Sequence, residues 1–336
     1  MKSKILVVDA PKGKLHIDDR DISEQLSSND VLIKVQFCGV CHTDIHEIDN
    51  DWGQPESFYP FVPGHEVIGE IVRVGSVVEK VKIGDIVGVG WQNDSCGTCY
   101  ACKRGWRNAC EAIAATYGGQ NGGFQQYIVS NEAFAIPIPV SLQKPETAPL
   151  LCGGITVYNP LLVHDVQPSD NTLVIGLGGL GHLAVQFLAK RGNQVSVLTR
   201  SADKHDDATQ LGASAFYTSL EEVPKRSFEF IIVTAPGSIN LSDVIKKATP
   251  RGKVCIVGAV PGELSFSAFD LIDGEVTLCS GSIGDPVNIA GMLEFAAKHD
   301  IQAIAEVSPA KDVDDALLRL REGKTRYRAV LDMREL

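Results

Sequence analysis

The sequence lacks long hydrophobic runs, and this absence excludes integral membrane proteins with helical spans. Nowhere in its 336 residues do about 18 or more apolar residues follow one another, the length that a membrane-spanning helix needs. The amino-terminal segment Met1–Asp9 has a basic start but only a short apolar run, Ile5–Val8, and a signal peptide needs a longer one. The sequence therefore predicts a cytoplasmic protein that does not contact a membrane.

The sequence has fewer basic than acidic residues, and it has no low-complexity segment. The chain has 42 Asp and Glu against 31 Lys and Arg, a formal net charge of -11, and no basic run forms a patch that would bind nucleic acid. With 44% hydrophobic and 22% charged residues, the composition is typical of a folded globular protein. We expect no nucleic-acid partner. The length favours two domains, because single hydrophobic cores stop growing at about 250–300 residues.

Cysteine is present in an odd number, and four cysteines form a local cluster. The 9 cysteines of a cytoplasmic chain are expected to be reduced thiols or metal ligands rather than disulfides. Cys96, Cys99, Cys102 and Cys110 have the spacing C-x2-C-x2-C-x7-C, which predicts a closed tetrahedral zinc site of structural role. A disulfide pair and a DNA-binding zinc ribbon are the alternatives, against which the compartment and the acidic balance argue.

The first part of the chain has the pattern of a β-rich domain. Short β-branched runs separated by glycine occupy Val31–Phe37, Val67–Val74 and Ile86–Val89. Gly84-Asp85 predicts a turn, and Pro137-Ile138-Pro139 predicts an extended segment that cannot be helical.

After about residue 152 strands alternate with helical segments, which predicts a doubly wound parallel sheet. A helix is expected from about Gly179 to Lys190. The expected strands are Thr172–Ile175, Gln194–Thr199, Phe230–Val233, Lys253–Val257 and Val276–Cys279. A helical stretch from about Asp285 to Lys298 then predicts a return to the first domain, so we assign residues 1–152 and 286–336 to one domain and 153–285 to the other.

A glycine-rich segment lies between the first of these strands and the following helix. Gly176-Leu177-Gly178-Gly179-Leu180-Gly181 has the pattern G-x-G-x-x-G, in which the glycines allow a tight turn, close approach of the backbone to a pyrophosphate, and close packing of helix on strand. The six residues predict a dinucleotide site because of their position in a βαβ unit. The alternative is a glycine turn that binds nothing.

The residues after the second of these strands predict which nicotinamide cofactor is bound. An NAD site would have Asp or Glu about 20 residues after the glycines, whereas this chain has Thr199, Arg200 and Ser201, with Lys204 shortly after. Cationic and hydroxyl side chains can bind a 2′-phosphate that a carboxylate would repel. We therefore predict NADP(H) over NAD(H). The alternative is that Arg200 and Lys204 are only solvated.

Several segments together resemble one enzyme family. They are Cys38–His46, Pro63–Glu66, the four-cysteine cluster, Leu151–Thr156 and Gly176–Gly181. On these segments the sequence resembles the zinc-dependent medium-chain dehydrogenase/reductases, and among them the cinnamyl alcohol dehydrogenase-like aldehyde reductases. The resemblance implies an α/β protein with a GroES-like catalytic domain and a Rossmann cofactor domain, with Thr156 among the residues that contact the cofactor.

The resemblance also implies a catalytic zinc on Cys41, His65 and Cys152. Two thiolates and one imidazole with an open fourth position are a ligand set that admits substrate. Glu66 is expected to ligate or release the metal, and Asp44 to orient the ligand histidine. Zinc would act as a Lewis acid while the nicotinamide supplies the hydride.

Other residues receive roles by the same resemblance, each with an alternative. Thr43 would relay a proton through the cofactor ribose to His46, whose side-chain type titrates near neutrality, unless His46 is a plain surface histidine. Trp52 and Trp91 would line the substrate cleft or belong to the core. Arg328 would reach the cofactor phosphates or face solvent. By analogy, the strand Val276–Ser280 would form a homodimer contact.

Three functions remain open at this point. The first is reversible reduction of aldehydes to primary alcohols with NADP(H), the second is an NAD-dependent alcohol or polyol dehydrogenase, and the third is a zinc-stabilised nucleotide-binding regulator without turnover. The complete set Cys41, His65 and Cys152 favours an enzyme, and Arg200 favours NADP(H). The remaining cysteines, Cys38, Cys255 and Cys279, are predicted to be small buried hydrophobic residues.

Overall fold

The computed structural model describes residues 1–23, 25–117, 121–235, 239–258 and 263–336. It divides the chain into two compact units. Unit 1 consists of Met1–Cys152, Ile283–Ala297 and Gln302–Leu336, and unit 2 consists of Gly153–Ser282 and Lys298–Ile301.

Strands and helices are numbered here in chain order. The strands are β1 (Lys2–Val7), β2 (His16–Asp21), β3 (Asp30–Val40), β4 (Val67–Val74), β5 (Ile86–Val89), β6 (Gln92–Asp94), β7 (Ala114–Ala115), β8 (Tyr127–Asn131), β9 (Ile136–Pro137), β10 (Asn171–Ile175), β11 (Gln194–Leu198), β12 (Ala215–Tyr217), β13 (Phe228–Val233), β14 (Ala248–Ile256), β15 (Thr277–Ser280), β16 (Ala305–Pro309) and β17 (Arg328–Asp332). The α-helices are α1 (His42–Asp49), α2 (Gly153–Val163), α3 (Gly181–Arg191), α4 (His205–Gln210), α5 (Leu241–Ile245), α6 (Ala268–Ile272), α7 (Pro286–His299) and α8 (Val313–Arg321). Short 3-10 helices are Glu56–Phe58, Cys102–Arg104, Arg107–Ala109, Glu132–Phe134, Val140–Leu142, Pro145–Leu151, Ala202–Lys204 and Ala310–Asp312.

Unit 1 is built on a mixed sheet with the order β16-β17-β3-β4-β5-β9, to which β8 adds by pairing with β3. The long strand β3 runs through the middle and is antiparallel to β4, β8 and β17. Its apolar side chains, among them Val31, Ile33 and Val35, are buried in the core of this unit, as expected for β-branched residues on a pleated surface. The predicted β-rich first domain is confirmed.

Pairing of β3 with β4 brings two distant segments of the sequence together. Cys38 lies opposite Val67 in the antiparallel register, so the residues after β3 and the residues before β4 meet at one end of the sheet. Cys41 directly follows β3, whereas His65 and Glu66 directly precede β4. The sheet thereby places these three side chains near each other.

Unit 2 contains, within the described residues, a six-stranded sheet of order β12-β11-β10-β13-β14-β15. All five pairings are parallel. This is the order of a dinucleotide-binding sheet, in which ligands bind where the strand order reverses, at the carboxyl ends of β10 and its neighbours. The central strands are buried on both faces, as parallel strands covered by helices are. The predicted doubly wound sheet is confirmed.

None of the helices in the described part of the chain combines the length and the hydropathy that crossing a bilayer requires.

Candidate active site and metal centres

Four side chains converge at the end of the unit 1 sheet. Cys41, His65, Glu66 and Cys152 each place one potential ligand atom within 4.8 Å of the others. His65 and Glu66 are fully buried and Cys152 is buried, while Cys41 is half-buried. The structure thus brings together the three predicted zinc ligands and the glutamate expected to ligate or release the metal.

The carboxylate of Asp44 holds the ligand segments in place. Its Oδ2 accepts a hydrogen bond from the Cys41 backbone N–H at 2.8 Å, which caps the start of α1, and its Oδ1 accepts from the Gly64 N–H at 2.8 Å. Oδ1 also lies 3.2 Å from His65 Nδ1. Because a carboxylate accepts hydrogen bonds, this contact favours the tautomer with the proton on Nδ1 and the lone pair on Nε2. This arrangement orients a metal-binding histidine.

The buried polar atoms of this cluster fit a divalent cation. His65 Nε2 has no hydrogen-bond partner within the described residues although it is fully buried, which is costly for a polar atom unless a ligand satisfies it. The Cys152 thiol donates to Cys41 and lowers the pKa of Cys41 well below its ordinary value, while the same pairing raises the pKa of Cys152. The two sulfur atoms therefore hold one proton between them, and Zn²⁺ can displace it because Zn²⁺ binds thiolate and imidazole.

Arg328 is a member of this cluster. It lies at the start of β17, is 6% exposed, and donates from Nη2 to Glu66 Oε1. This position argues against the predicted contact with cofactor phosphates and against a solvent-facing arginine, because the guanidinium is enclosed beside Glu66. Burial raises the pKa of Glu66 to about 7 even though Arg328 opposes the shift. Glu66 Oε2 makes no hydrogen bond within the described residues.

The two residues of the predicted proton relay lie one turn apart on α1. Thr43 and His46 are both half-buried, and residues three apart on a helix share a face. His46 Nδ1 lies 2.7 Å from Asp51 Oδ2, and its ring lies 5.4 Å from that of Trp52. Trp52 is 51% exposed. It is therefore not a core residue.

Half-buried Trp91 takes part in a chain of polar contacts that the sequence did not indicate. Its Nε1–H donates to the Tyr117 hydroxyl at 2.7 Å, and Tyr117 in turn contacts the Glu47 carboxyl group. The Tyr117 ring packs edge-on against His65 at 5.7 Å between centroids. Burial raises the pKa of Glu47. Tyr117 thus packs against His65 and also contacts two polar groups, the Trp91 indole N–H and the Glu47 carboxyl group. No sequence motif indicates Glu47 or Tyr117.

The four-cysteine cluster is a separate site in the same unit. Cys96, Cys99, Cys102 and Cys110 place their sulfur atoms within 4.8 Å of one another, with 3.5 Å between Cys110 and Cys96. The Cys99 N–H donates to the Cys96 sulfur at 3.4 Å. Backbone N–H groups of Thr98 and Cys99 lower the pKa of Cys96 to about 6. Thiolates stabilised in this way suit the predicted closed zinc site.

Hydrogen bonds at its base attach this lobe to the rest of unit 1. The Gln92 side-chain amide donates to the Arg107 carbonyl at 2.9 Å. The Arg107 N–H donates to Asp285 Oδ2 at 3.0 Å. The lobe otherwise consists of turns and 3-10 helices with exposed side chains such as Tyr100 and Trp106.

In unit 2 the glycine-rich segment joins β10 to α3 as predicted, except that the helix begins two residues later, at Gly181. Gly176 has φ +98, a conformation that favours glycine. A Cβ on Gly181 would lie 1.9 Å from the Gly176 carbonyl oxygen, whereas a Cβ on Gly178 would meet nothing within 4 Å. Gly179 and Leu180 complete the turn. The α3 amino terminus and the open side of Gly178 fit a pyrophosphate.

The predicted phosphate-binding residues lie next to this turn. Thr199, Arg200 and Ser201 directly follow β11, which pairs with β10, and the Gly176 N–H donates to the Leu198 carbonyl at 2.8 Å. Lys204 Nζ donates to the Leu177 carbonyl at 2.8 Å, so Lys204 supports the glycine turn itself. Arg200 is exposed. Thr156 lies half-buried on α2.

Comparison with known families and proteins gives two matches along the chain. The family model of the alcohol dehydrogenase GroES-like domain matches residues 27–140, and that of the zinc-binding dehydrogenase matches residues 179–298. An aldehyde reductase, AdhA of Synechocystis sp., is 38% identical over 310 residues, which cover 91% of this chain and 92% of that protein.

Solved structures agree over almost the whole chain. A cinnamyl alcohol dehydrogenase of Sorghum bicolor, SbCAD4, superposes with a TM-score of 0.93 at 35% identity and covers 99% of this chain and 98% of its own. A cinnamyl alcohol dehydrogenase of Helicobacter pylori, solved in complex with NADP(H), gives a TM-score of 0.91 at 33% identity with 100% and 99% coverage.

Proposed function

The chain belongs to the zinc-dependent medium-chain dehydrogenase/reductase family, in its cinnamyl alcohol dehydrogenase-like branch, and from this premise we propose that it interconverts aldehydes and primary alcohols with NADP(H). The observation that carries the proposal is the convergence of Cys41, His65 and Cys152, with His65 oriented by Asp44. A nucleotide-binding regulator without turnover would not need this ligand set.

The residues of unit 1 supply the catalytic part of the proposal. Cys41, His65 and Cys152 would hold a zinc ion, which when bound supplies Lewis-acid polarisation of a carbonyl or hydroxyl oxygen. Thr43 and His46 would carry the proton that aldehyde reduction consumes, since their helix leads from the site toward solvent at Asp51. Trp52 and Trp91 would form walls of the substrate cleft.

Unit 2 would be the cofactor domain and unit 1 the catalytic domain, in keeping with the predicted division at residues 152 and 286. The turn Gly176–Gly181 would accept the pyrophosphate, and Thr199, Arg200, Ser201 and Lys204 the 2′-phosphate. The relative from Helicobacter pylori is described as an NADP(H) complex, which supports NADP(H) here. Thr156 would contact the same cofactor.

We expect a cytoplasmic homodimer. Support for the dimer comes from β15, which is an edge strand of the unit 2 sheet, and from Phe269 on α6, which is 68% exposed. A second copy can extend an edge strand and can cover an exposed apolar side chain. Sedimentation should give twice the chain mass, and Phe269→Glu should shift it toward the monomer. Val140→Glu, at a site in unit 1 that is 85% exposed, should leave the dimer intact.

Cys152→Ala tests the activity itself. Initial rates across a panel of aliphatic and aromatic aldehydes with NADPH should fall to background, because one zinc ligand is lost, while the folded protein still binds NADPH. Cys38→Ala is the matched control, since Cys38 is a buried thiol outside the ligand set, and it should retain turnover. Turnover that persists in Cys152→Ala would rule out the assigned ligands.

Arg200→Ala tests the choice of cofactor. Loss of a charge-assisted hydrogen bond to the 2′-phosphate should raise KM for NADPH about tenfold or more and leave KM for NADH nearly unchanged. Lys225→Ala, an exposed cation elsewhere in unit 2, should change neither. Equal or better kcat/KM with NADH in the unmodified enzyme would contradict the proposal.

A further inference from the structure

A second cluster of two thiols and an imidazole lies in unit 2, outside the sites described above. A ring nitrogen of His164 and the sulfur atoms of Cys255 and Cys279 lie within 4.8 Å of one another. Cys255 is fully buried, as predicted, whereas Cys279 and His164 are half-buried. The sequence predicted only small hydrophobic roles for the two cysteines and did not indicate His164.

The parallel sheet brings the two thiols together. Cys255 on β14 is the register partner of Cys279 on β15. Register partners in neighbouring strands project to the same face of a sheet, so the two sulfur atoms are neighbours.

His164 is fixed from two sides. Its Nε2 lies 2.8 Å from the Ser280 carbonyl oxygen. Because a carbonyl only accepts, this contact makes Nε2 the protonated nitrogen and leaves the lone pair on Nδ1. The His164 carbonyl in turn accepts a hydrogen bond from Lys253 Nζ. Donation of one ring N–H to a backbone carbonyl is the usual support of a metal-binding histidine.

The segment after β15 packs tightly against the helix that precedes His164. Asn159 donates from its side chain to the Ser282 carbonyl at 3.2 Å. A Cβ on Gly281 would lie 2.2 Å from Pro160 Cγ, so glycine is required for this contact. These contacts hold α2 against the end of β15, which preorganises the three side chains as rigid elements do in a built site.

We propose that His164, Cys255 and Cys279 form a third zinc site. Its donors, two sulfurs and one imidazole nitrogen, are of the same types as those of Cys41, His65 and Cys152, and soft thiolates with imidazole suit Zn²⁺. Binding releases the thiol protons, and the charges of two thiolates and one Zn²⁺ cancel, which limits the cost of burial. His164 and Cys279 are half-buried, so the cluster is partly accessible to solvent.

Zinc content of the full-length holoprotein tests this assignment. Protein purified with Zn²⁺ and freed of loose metal should contain three zinc ions per chain, and the double variant Cys255→Ala/Cys279→Ala should contain two with its aldehyde reduction retained. His205→Asn, at an exposed histidine of the same unit, should keep three. His164→Asn should lower the affinity of the third ion by more than the roughly 10–100-fold that loss of a hydrogen-bond partner of a ligand costs, without removing a buried thiol.

Alkylation followed by peptide mapping gives a readout that needs no variant. Iodoacetamide should label Cys279 after brief chelation and leave it unlabelled in Zn²⁺-loaded protein. Two zinc ions per chain in the unmodified protein, together with labelling of Cys279 that Zn²⁺ does not alter, would overturn the proposal and leave a pair of plain thiols. A disulfide between Cys255 and Cys279 in protein kept under reducing conditions would also overturn it.

Discussion

At the scale of single residues, the Asp44 carboxylate contacts three parts of the cluster that is proposed to hold the catalytic zinc. It caps the helix that follows Cys41, accepts from the backbone at Gly64, and faces His65 Nδ1. One buried side chain therefore fixes the direction of an imidazole and the spacing between two ligand segments. Its removal should be felt at the metal rather than in the fold as a whole.

Asp44→Asn tests this role. The amide keeps one acceptor but presents an NH₂ group toward a donor, so His65 loses its orientation, and we expect zinc affinity and kcat/KM to fall by about 10–100-fold. Metal content after dialysis and initial rates measure both. Asp19→Asn, an exposed carboxylate on β2, is the control. If Asp44→Asn retained full metal affinity, the orienting role would be excluded.

The pair of Arg328 and Glu66 makes a prediction about stability. Arg328→Met leaves the fully buried Glu66 carboxylate without its cation, and breaking a buried pair from one side costs about 3–5 kcal/mol. The free energy of unfolding of unit 1, from denaturant titration, should fall by that order. The double variant Arg328→Met/Glu66→Gln should recover part of the loss, because no charge is then left unpaired. A double variant no more stable than Arg328→Met would argue against the charge explanation.

Residues whose partners lie close in sequence could be predicted from their spacing, whereas the distant ligands Cys41, His65 and Cys152 were predicted only through the family resemblance. The spacing of Cys96 to Cys110 indicates a metal site by itself, because its ligands need no fold to meet. Arg328 lies 262 residues from Glu66, and only the pairing of β17 with β3 brings them together. The family resemblance therefore predicted a phosphate contact for Arg328 that its buried position does not support.

At the scale of elements, the periodicity of apolar residues predicted several strands correctly but missed elements whose formation depends on tertiary packing. Val67–Val74 and Ile86–Val89 have the predicted bounds, since alternating or continuous β-branched runs carry their own signal. The hairpin of β1 and β2 was not predicted, because β2 is a run of polar, mostly exposed residues. Helix α1 was missed as well, since the capping by Asp44 was not identified.

Substitutions of two glycines, Gly178 and Gly181, distinguish an effect on cofactor binding from an effect on packing. Gly178→Ala places a methyl group in open space, so stability should be unchanged while NADPH affinity falls, because the methyl group lies where the pyrophosphate approaches. Gly181→Ala drives its Cβ into the Gly176 carbonyl and should lower both. Thermal unfolding and NADPH titration distinguish the two variants. Equal effects of both on stability would contradict this division.

At the scale of the whole molecule, the two units have separate cores and separate reporters. All 3 tryptophans, Trp52, Trp91 and Trp106, lie in unit 1. Tryptophan fluorescence therefore follows the unit that contains the predicted catalytic and structural zinc sites. NADPH titration follows the unit with the glycine turn.

Chelation should affect these reporters differently. Removing zinc leaves buried thiols and His65 Nε2 unsatisfied, so the fluorescence transition should move to lower denaturant concentration. NADPH binding at low denaturant should persist, since the turn Gly176–Gly181 contains no metal ligand. Adding Zn²⁺ back should return the fluorescence transition to its original denaturant concentration, whereas adding Mg²⁺ should not. Because the proposed third zinc lies in unit 2, the comparison is made in Cys255→Ala/Cys279→Ala, whose unit 2 would hold no zinc. Simultaneous loss of NADPH binding on chelation of that variant would show that the units are not independent in stability.

The place of β17 beside β3 has a consequence for synthesis on the ribosome. All of unit 2 is translated before residue 328, so its sheet can form while unit 1 is still missing the strand that borders residues 37–40 of β3. Until that strand leaves the exit tunnel, Glu66 has no guanidinium beside it. Residues 37–40 of β3 then lack their β17 partner, whereas residues 30–34 can already pair with β8. Nascent unit 1 therefore presents an open strand edge during elongation, which is where aggregation or chaperone capture would begin.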